Sequence, residues 1–276
     1  MGAVVIIPAR FNSTRFPGKP LTTILGIPMI QHVYKRTSKA TMIERVIVAT
    51  DDMRVFDAVK GFGGEVVMTS PQHQSGSDRI AEVAKSISYD IIVNVQGDEP
   101  LILPEMVDSV VDILNTEPSA SIGTLCKKIN DVEELLDPNV VKVVFDRDGF
   151  AIYFSRSPIP FHRDDWKIAD CGMQIADLEH EIECILRFTI HDSRFTAYKH
   201  LGIYSYRRDV LLTLSSLQPS SLESLEKLEQ LRAIENGFKI KVRETTFDTI
   251  GVDTIEDVEK VAKRLKACSE RSESNG

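Results

Sequence analysis

Apolar residues in the first part of the chain gather into short runs, Ala3 to Pro8, Arg45 to Thr50, Glu65 to Met68 and Asp90 to Gln96, all rich in Val and Ile. Runs of this length and composition predict strands. Val4 to Ile7 and Ile91 to Val95 are continuous rather than alternating, which predicts central parallel strands covered on both faces. Between them, apolar positions recur three and four residues apart in Pro28 to Lys39, Met53 to Lys60, Asp78 to Ser86 and Pro104 to Leu114, the spacing of helices with one buried face. Asp51 and Pro104 read as helix-start signals. The βαβ rhythm makes the first half an α/β unit.

From about Asn139 the pattern changes. Val140 to Phe145 and Phe150 to Ser155, joined by Asp146-Arg147-Asp148-Gly149, predict an antiparallel hairpin. Pro158 to Ala197 shows no clear period and is expected to form loops or short helices. Tyr198 to Tyr206 predicts a strand, Leu222 to Glu235 a helix closed by Gly237 at its C′ position, and Lys239 to Glu244 a further strand. A last helix is expected over Ile255 to Lys266, opened by Thr254 with Asp257 three residues on as a capping box. The polar tail Ser269 to Gly276 is expected to be disordered.

Composition narrows the function classes. The 276 residues, 42% hydrophobic and 27% charged, suffice for one large domain or two unequal lobes. No apolar stretch approaches the roughly 18 to 20 residues that span a bilayer. The first residues carry no early Lys or Arg and run into Arg10 without a small-residue cleavage pattern, so the expected location is cytoplasmic. Cys126, Cys171, Cys184 and Cys268 form no Cys-x-x-Cys pair, which argues against a zinc site and a disulfide framework and for reduced thiols. A net charge of −8 opposes a nucleic-acid partner. A small anion needs only a local cluster, and Arg10, Arg15 and Lys19 supply one.

That cluster lies in Phe11-Asn-Ser-Thr-Arg-Phe-Pro-Gly-Lys-Pro20, directly after the first strand, where α/β sheets bind ligands. Its backbone N–H groups and cations could face a polyphosphate, or the loop could be a solvated surface segment. It is not a P-loop, because Pro20 follows Lys19, nor a Gly-x-Gly-x-x-Gly fingerprint. Asp98, between Gly97 and Pro100 beyond a buried strand, suits either a turn or helix cap or a ligand to a hard cation. Asp253 could belong to the start of the last helix. His73, Gln74 and Ser75 read equally as a polar helix-entry loop, and Arg79 as one partner of a surface ion pair. His200 and Tyr204 share one strand face, which fits packing or ligation.

Seen together, these segments form an ordered series: Ile7-Pro-Ala-Arg-Phe-Asn-Ser-Thr-Arg-Phe-Pro-Gly-Lys-Pro-Leu21, His73-Gln-Ser-Gly-Ser-Asp-Arg79, Val93-Asn-Val-Gln-Gly-Asp-Glu-Pro100, Phe154-Ser-Arg156, His200-Leu-Gly-Ile-Tyr204, Leu228-Glu-Gln-Leu-Arg232 and Gly251-Val-Asp253. The series resembles the CMP-Kdo synthetases, the 3-deoxy-manno-octulosonate cytidylyltransferases, block by block and in order. The resemblance implies an α/β, Rossmann-like nucleotidyltransferase fold of the nucleotide-diphospho-sugar transferase type, with a mixed, mainly parallel sheet and a smaller inserted lobe. Residues 1–125 and 207–268 would form the nucleotide-binding lobe, and 126–206 the lobe for sugar binding and dimerisation. Pro8, Ala9, Arg10, Arg15, Lys19, His73, Gln74, Ser75, Gly76 and Arg79 would contact CTP. Asp98 and Asp253 would hold Mg²⁺, and with Lys19 and Arg10 make up the catalytic set. Gln96, Arg156, His200, Tyr204 and Glu229 would recognise the acidic sugar, Arg156 through its planar fork.

The implied reaction transfers CMP from CTP to Kdo for lipopolysaccharide biosynthesis, in a homodimer that neither binds nucleic acid nor enters the membrane. Alternatives are a cytidylyltransferase for another acidic sugar such as 8-amino-Kdo or a sialate-like sugar, a hexose-1-phosphate nucleotidyltransferase, and a non-catalytic CTP-binding regulator. The N-terminal signature differs from the glycine-rich one expected of the hexose-1-phosphate enzymes. One departure from the family pattern bears on the choice of sugar: the stretch from about Lys167 to Arg194 is longer than expected.

Overall fold

The computed structural model of the protein describes residues 2–11, 16–73, 75–161 and 196–273. Arg15, Gln74 and the long stretch 167–194 therefore lie outside the described residues. The chain divides into two compact units, Met1–Thr124 with Gly202–Leu217 and Phe247–Gly276, and Leu125–Leu201 with Gln218–Thr246.

The first unit is built on β1 (Ala3–Pro8), β4 (Arg45–Thr50), β5 (Val66–Met68) and β6 (Ile91–Asn94), with a small hairpin of β2 (Thr23–Ile24) and β3 (Ile27–Pro28) between β1 and β4 in the chain. All six residues of β1 are buried, as its unbroken apolar run requires. It pairs in parallel with β4 on one side, Val5 opposite Val46, and with β6 on the other, Val5 opposite Val93. The far part of β10 (Tyr198–Arg207) runs antiparallel to β6 and makes the sheet mixed. Helices α1 (Met29–Thr37), α2 (Met53–Gly61), α3 (Gly76–Lys85) and α4 (Pro104–Thr116) follow the strands, and α6 (Arg208–Leu214) follows β10. Helix α2 starts at Met53 as expected, but Asp52, not Asp51, caps it by accepting from Arg54 N at 2.9 Å. The C-terminal helix runs Ile255–Glu273, so residues 269–273, expected as disordered tail, continue it. The physical reason is composition, since Ala267, Glu270, Arg271 and Glu273 favour helix and no Gly or Pro intervenes.

In the second unit, β8 (Lys142–Phe145) and β9 (Ala151–Ser155) form the expected hairpin, its turn completed by Gly149 at φ 77°. The later part of β7 (Ile122–Lys128) and helix α5 (Val132–Leu136) were not foreseen. Gly, Thr and paired Lys break the apolar run of β7, and α5 is too short to show a period. The expected helix Leu222–Glu235 is two, α7 (Ser221–Glu226) and α8 (Gln230–Glu235), because Lys227 takes the left-handed conformation at φ 56°. Gly237, at φ 78°, closes α8 as its C′ residue. The expected lobe boundary is corrected: residues 218–246 belong with the second unit rather than the first. Strand β11 (Ile240–Glu244) and its flank bond there, Val242 N to Gly149 O at 2.8 Å and Thr245 N to Cys126 O at 2.9 Å.

Candidate active site

The carboxyl end of β1 leads to Pro8, Ala9 and Arg10, with Ala9 N donating to Ala49 O at 2.9 Å to prolong the sheet pairing by one bond. Gly18 N donates to Phe11 O at 2.9 Å and so brings the two ends of the cationic loop together. Gly18 sits at φ 75°, a left-handed conformation that glycine adopts without strain, and it turns the chain into the short 3₁₀ turn Lys19–Leu21. Lys19 Nζ then lies 2.6 Å from Asp98 Oδ2 and 2.9 Å from Asp253 Oδ1. Burial alone would lower the Lys19 pKa, but the charge and hydrogen bonds of Asp98, followed by those of Asp253, outweigh it and hold the ammonium above its ordinary value.

The two carboxylates are placed by backbone contacts. Asp98 follows Gly97, where a Cβ would stand 2.8 Å from Pro8 O, so the close approach of this turn to the end of β1 requires glycine. Asp98 O accepts from Val252 N at 2.9 Å, which ties the residue before Asp253 to the same turn. Asp257 Oδ2 accepts from Asp253 N at 3.2 Å and Thr254 N at 3.1 Å, the capping arrangement expected at the start of the C-terminal helix. Segments far apart in sequence thus converge on one ammonium. The donor set fits a Mg²⁺ ion: the carboxylates aim hard oxygens at a point already occupied by a cation, and Mg²⁺ commonly takes one or two carboxylates plus phosphate oxygens and waters.

Beside the end of β1, Arg10 Nη2 donates to His73 O at 2.8 Å. The His73 imidazole meets Glu82, whose carboxylate also accepts from Ser70 N at 3.0 Å. Ser75 caps α3 in a capping box with Asp78, and Gly76 opens the helix against the Pro8 ring. Arg79 points inward. Its side chain is fully buried, bonded to partly buried Asp51 at 2.7 Å and to the Thr69 hydroxyl, so the ion pair the sequence allowed at the surface is made instead by a guanidinium inside the core.

The candidate sugar residues divide between the units. In the first, Gln96 Nε2 approaches Asn94 Oδ1 at 3.4 Å, and Tyr204 stands opposite Asn94 in the β10–β6 register. In the second, the His200 ring packs edge-on to Phe154 at 5.2 Å, and burial pushes its pKa down to about 3, leaving a neutral imidazole. Arg156 donates from Nε to Glu226 O and from Nη1 to Pro138 O, both at 2.8 Å. Glu229 precedes α8, 4.0 Å from Arg232. Two partners escaped the sequence reading. Glu99 is pushed up to about 7 by burial and by the neighbouring Asp98 and Asp248 carboxylates, despite a bond from Thr249. Its place in the Gln96–Pro100 block could have drawn attention to it. Glu226 gave no local signal, since its partners stand about seventy positions away.

A model of the cytidylyltransferase family matches residues 4–241. The chain belongs to this family. The 3-deoxy-manno-octulosonate cytidylyltransferase of Geobacter sulfurreducens is 52% identical over 266 residues, 96% of this chain and 100% of its own. That of Geobacter metallireducens is 53% identical, covering 96% of this chain and 98% of its own. A solved structure of CMP:2-keto-3-deoxy-manno-octonic acid synthetase in complex with CTP aligns at TM-score 0.83 and 41% identity, over 97% of this chain and 99% of that one. A 4-diphosphocytidyl-2C-methyl-D-erythritol synthase from Anaerococcus prevotii shares the fold at TM-score 0.58 and 14% identity. The cytidylyltransferase fold expected from the sequence is thus the observed one, an α/β fold with a mixed, mostly parallel sheet. Among the described residues no helix is long and apolar enough to cross a membrane.

Proposed function

We propose that the protein activates Kdo by transferring CMP from CTP, forming CMP-Kdo and diphosphate. The observation that carries the reading is the convergence of Lys19, Asp98 and Asp253 at the carboxyl end of the sheet, in a chain about half identical to enzymes of that name along their whole length. The paired carboxylates aimed at one cation argue against a binding protein without catalysis.

The anomeric hydroxyl of the sugar attacks the α-phosphorus of CTP; the new P–O bond forms as the bond from the α-phosphorus to the α–β bridging oxygen breaks, diphosphate leaves with those electrons, and the hydroxyl proton passes to solvent. No covalent enzyme intermediate is required. Lys19, kept protonated by its carboxylate neighbours, and Arg10 neutralise the triphosphate, while Pro8, Ala9 and the start of α3 approach it through backbone. Asp98 and Asp253 would hold Mg²⁺, which when bound supplies charge neutralisation on the phosphates and a lower pKa for the attacking hydroxyl. Gln96, Tyr204, His200 and Glu229 are assigned to sugar hydroxyls, with His200 acting as a neutral imidazole, and Arg156 to the sugar carboxylate. Cytoplasmic location and a homodimer formed largely through the smaller lobe belong to the same reading, on the family resemblance.

The deciding experiment is diphosphate release from CTP and Mg²⁺ with Kdo, 8-amino-Kdo and a sialic acid in parallel, the products identified by mass. Turnover with Kdo to CMP-Kdo is expected. Turnover with another acid alone would replace the substrate but keep the chemistry, and CTP binding without release with any sugar would refute the enzyme reading. Asp98→Asn should lower kcat by about a hundredfold or more at saturating CTP and Mg²⁺, in line with losing an electrostatic group at the reacting phosphate. Near-normal turnover of that variant would remove Asp98 from the metal site.

A further inference from the structure

In the second unit, one carboxylate organises the surroundings of Arg156. Glu226 Oε1 accepts from the Ser155 hydroxyl at 2.6 Å and the Tyr153 hydroxyl at 3.3 Å, and Oε2 accepts from Arg156 N at 3.0 Å. Burial alone would raise the Glu226 pKa, but these donors and the Arg156 charge hold it below the ordinary carboxylate range, so it stays ionised. Its backbone takes part as well. Glu226 is the last residue of α7, and the left-handed Lys227 ends the helix there, so Glu226 O accepts from Arg156 Nε at 2.8 Å instead of serving a further helical turn. A non-glycine residue in this conformation is strained, and such strain persists where surrounding contacts impose it.

The opposite side of the guanidinium is set by the turn after α5. Arg156 Nη1 donates to Pro138 O at 2.8 Å, and Lys142 Nζ donates to Asp137 O at 2.9 Å and Val140 O at 2.6 Å, pinning the same turn. The Lys142 side chain is fully buried, so the turn is anchored from within although its contact with Arg156 is exposed. Arg156 is thereby held at its backbone N, its Nε and one terminal nitrogen, so the plane of its fork is set before any ligand arrives. A guanidinium set in advance loses less side-chain freedom on meeting a planar carboxylate, and binds it more tightly for that reason.

We infer that Glu226 is a positioning residue that orients Arg156 toward the carboxylate of the acidic sugar, through its side chain on β9 and its carbonyl at the α7 break. The inference rests on the assignment of Arg156 to the sugar carboxylate, and the test separates the two. Steady-state diphosphate release would be measured for Glu226→Gln, Ser155→Ala and Arg156→Ala, varying sugar and CTP separately, with the sugar acid compared against its neutral carboxamide. Glu226→Gln should raise the KM for the sugar acid by about tenfold, the scale of one charge-assisted contact, leave the CTP KM within about twofold, and shrink the preference for acid over carboxamide. A merely structural role would lower stability without moving that preference. Ser155→Ala removes one donor and should shift the sugar KM in the same direction by less, which keeps the test available if Glu226→Gln unfolds. If Arg156→Ala abolishes the preference while Glu226→Gln and Ser155→Ala keep it, the positioning role is overturned and the assignment of Arg156 stands. If Arg156→Ala itself leaves the preference intact, the assignment falls, and the inference with it.

Discussion

The pair of fully buried Arg79 and partly buried Asp51 shows how one contact can settle what a residue is for. An isolated guanidinium in a core is very costly to desolvate, and the 2.7 Å contact with Asp51 together with the Thr69 hydroxyl compensates its terminal nitrogens, while Nε stays buried without a hydrogen bond among the described residues. Asp51→Asn keeps the shape and removes the charge, so it should destabilise the fold by about 3 kcal/mol, read from urea unfolding midpoints. A loss under about 1 kcal/mol would mean that water or another group already solvates Arg79. At this scale the sequence marked Lys19, Asp98 and Asp253 as candidates by type and position, and the structure brings the three together. The sequence was not legible for Arg79, Asp51 and Glu226, because a residue's type does not say whether its charge faces solvent, substrate or a partner from another element.

Between residue and molecule, the elements carry the site by where they end. The turn after β6 passes so near the end of β1 that a Cβ on Gly97 would stand 2.8 Å from Pro8 O, a contact between two backbones with little room to yield. Gly97→Ala should therefore cost about 1–3 kcal/mol of stability, as overpacking does. It should also lower kcat by about tenfold or more, because the turn that carries Asp98 must shift. Thermal melting and diphosphate release measure both, and an unchanged kcat would show that the turn does not set the carboxylate. Strands β1 and β4 fall where their apolar runs predicted, since a buried parallel strand must be apolar on both faces. The single helix expected over Leu222–Glu235 became two because its apolar spacing is compatible with both forms, and the Arg156 and Glu226 contacts favour the break at Lys227.

For the molecule as a whole, stability as a function of pH reports the buried charges. Glu99, raised to about 7 from an ordinary 4.5, binds a proton more tightly folded than unfolded. Its contribution to stability is fully present below the unfolded pKa and is lost as pH rises through about 7. The metal-free protein should accordingly lose melting temperature between about pH 5 and pH 7, and Glu99→Gln should lose less over the same interval. An equal loss in both would show that Glu99 titrates normally. His200, depressed to about 3, acts in the opposite sense, since its neutral folded form becomes a liability only as pH falls below the ordinary imidazole value.

What the sequence by itself determined is the class of the molecule and the chemistry it carries. Short continuous apolar runs rich in Val and Ile suit strands of a covered parallel sheet, and the ordered blocks from Ile7 to Asp253 resemble those of the cytidylyltransferases. What only the tertiary structure decided is which of those residues meet. Lys19, Asp98 and Asp253 converge because backbone bonds such as Val252 N to Asp98 O close distances that no local period encodes. The same holds for the grouping of 218–246 with the second unit and for the Glu226 support of Arg156. Local patterns are set by helix and strand geometry within a few residues, whereas charge pairing and lobe membership depend on contacts between segments far apart in the chain.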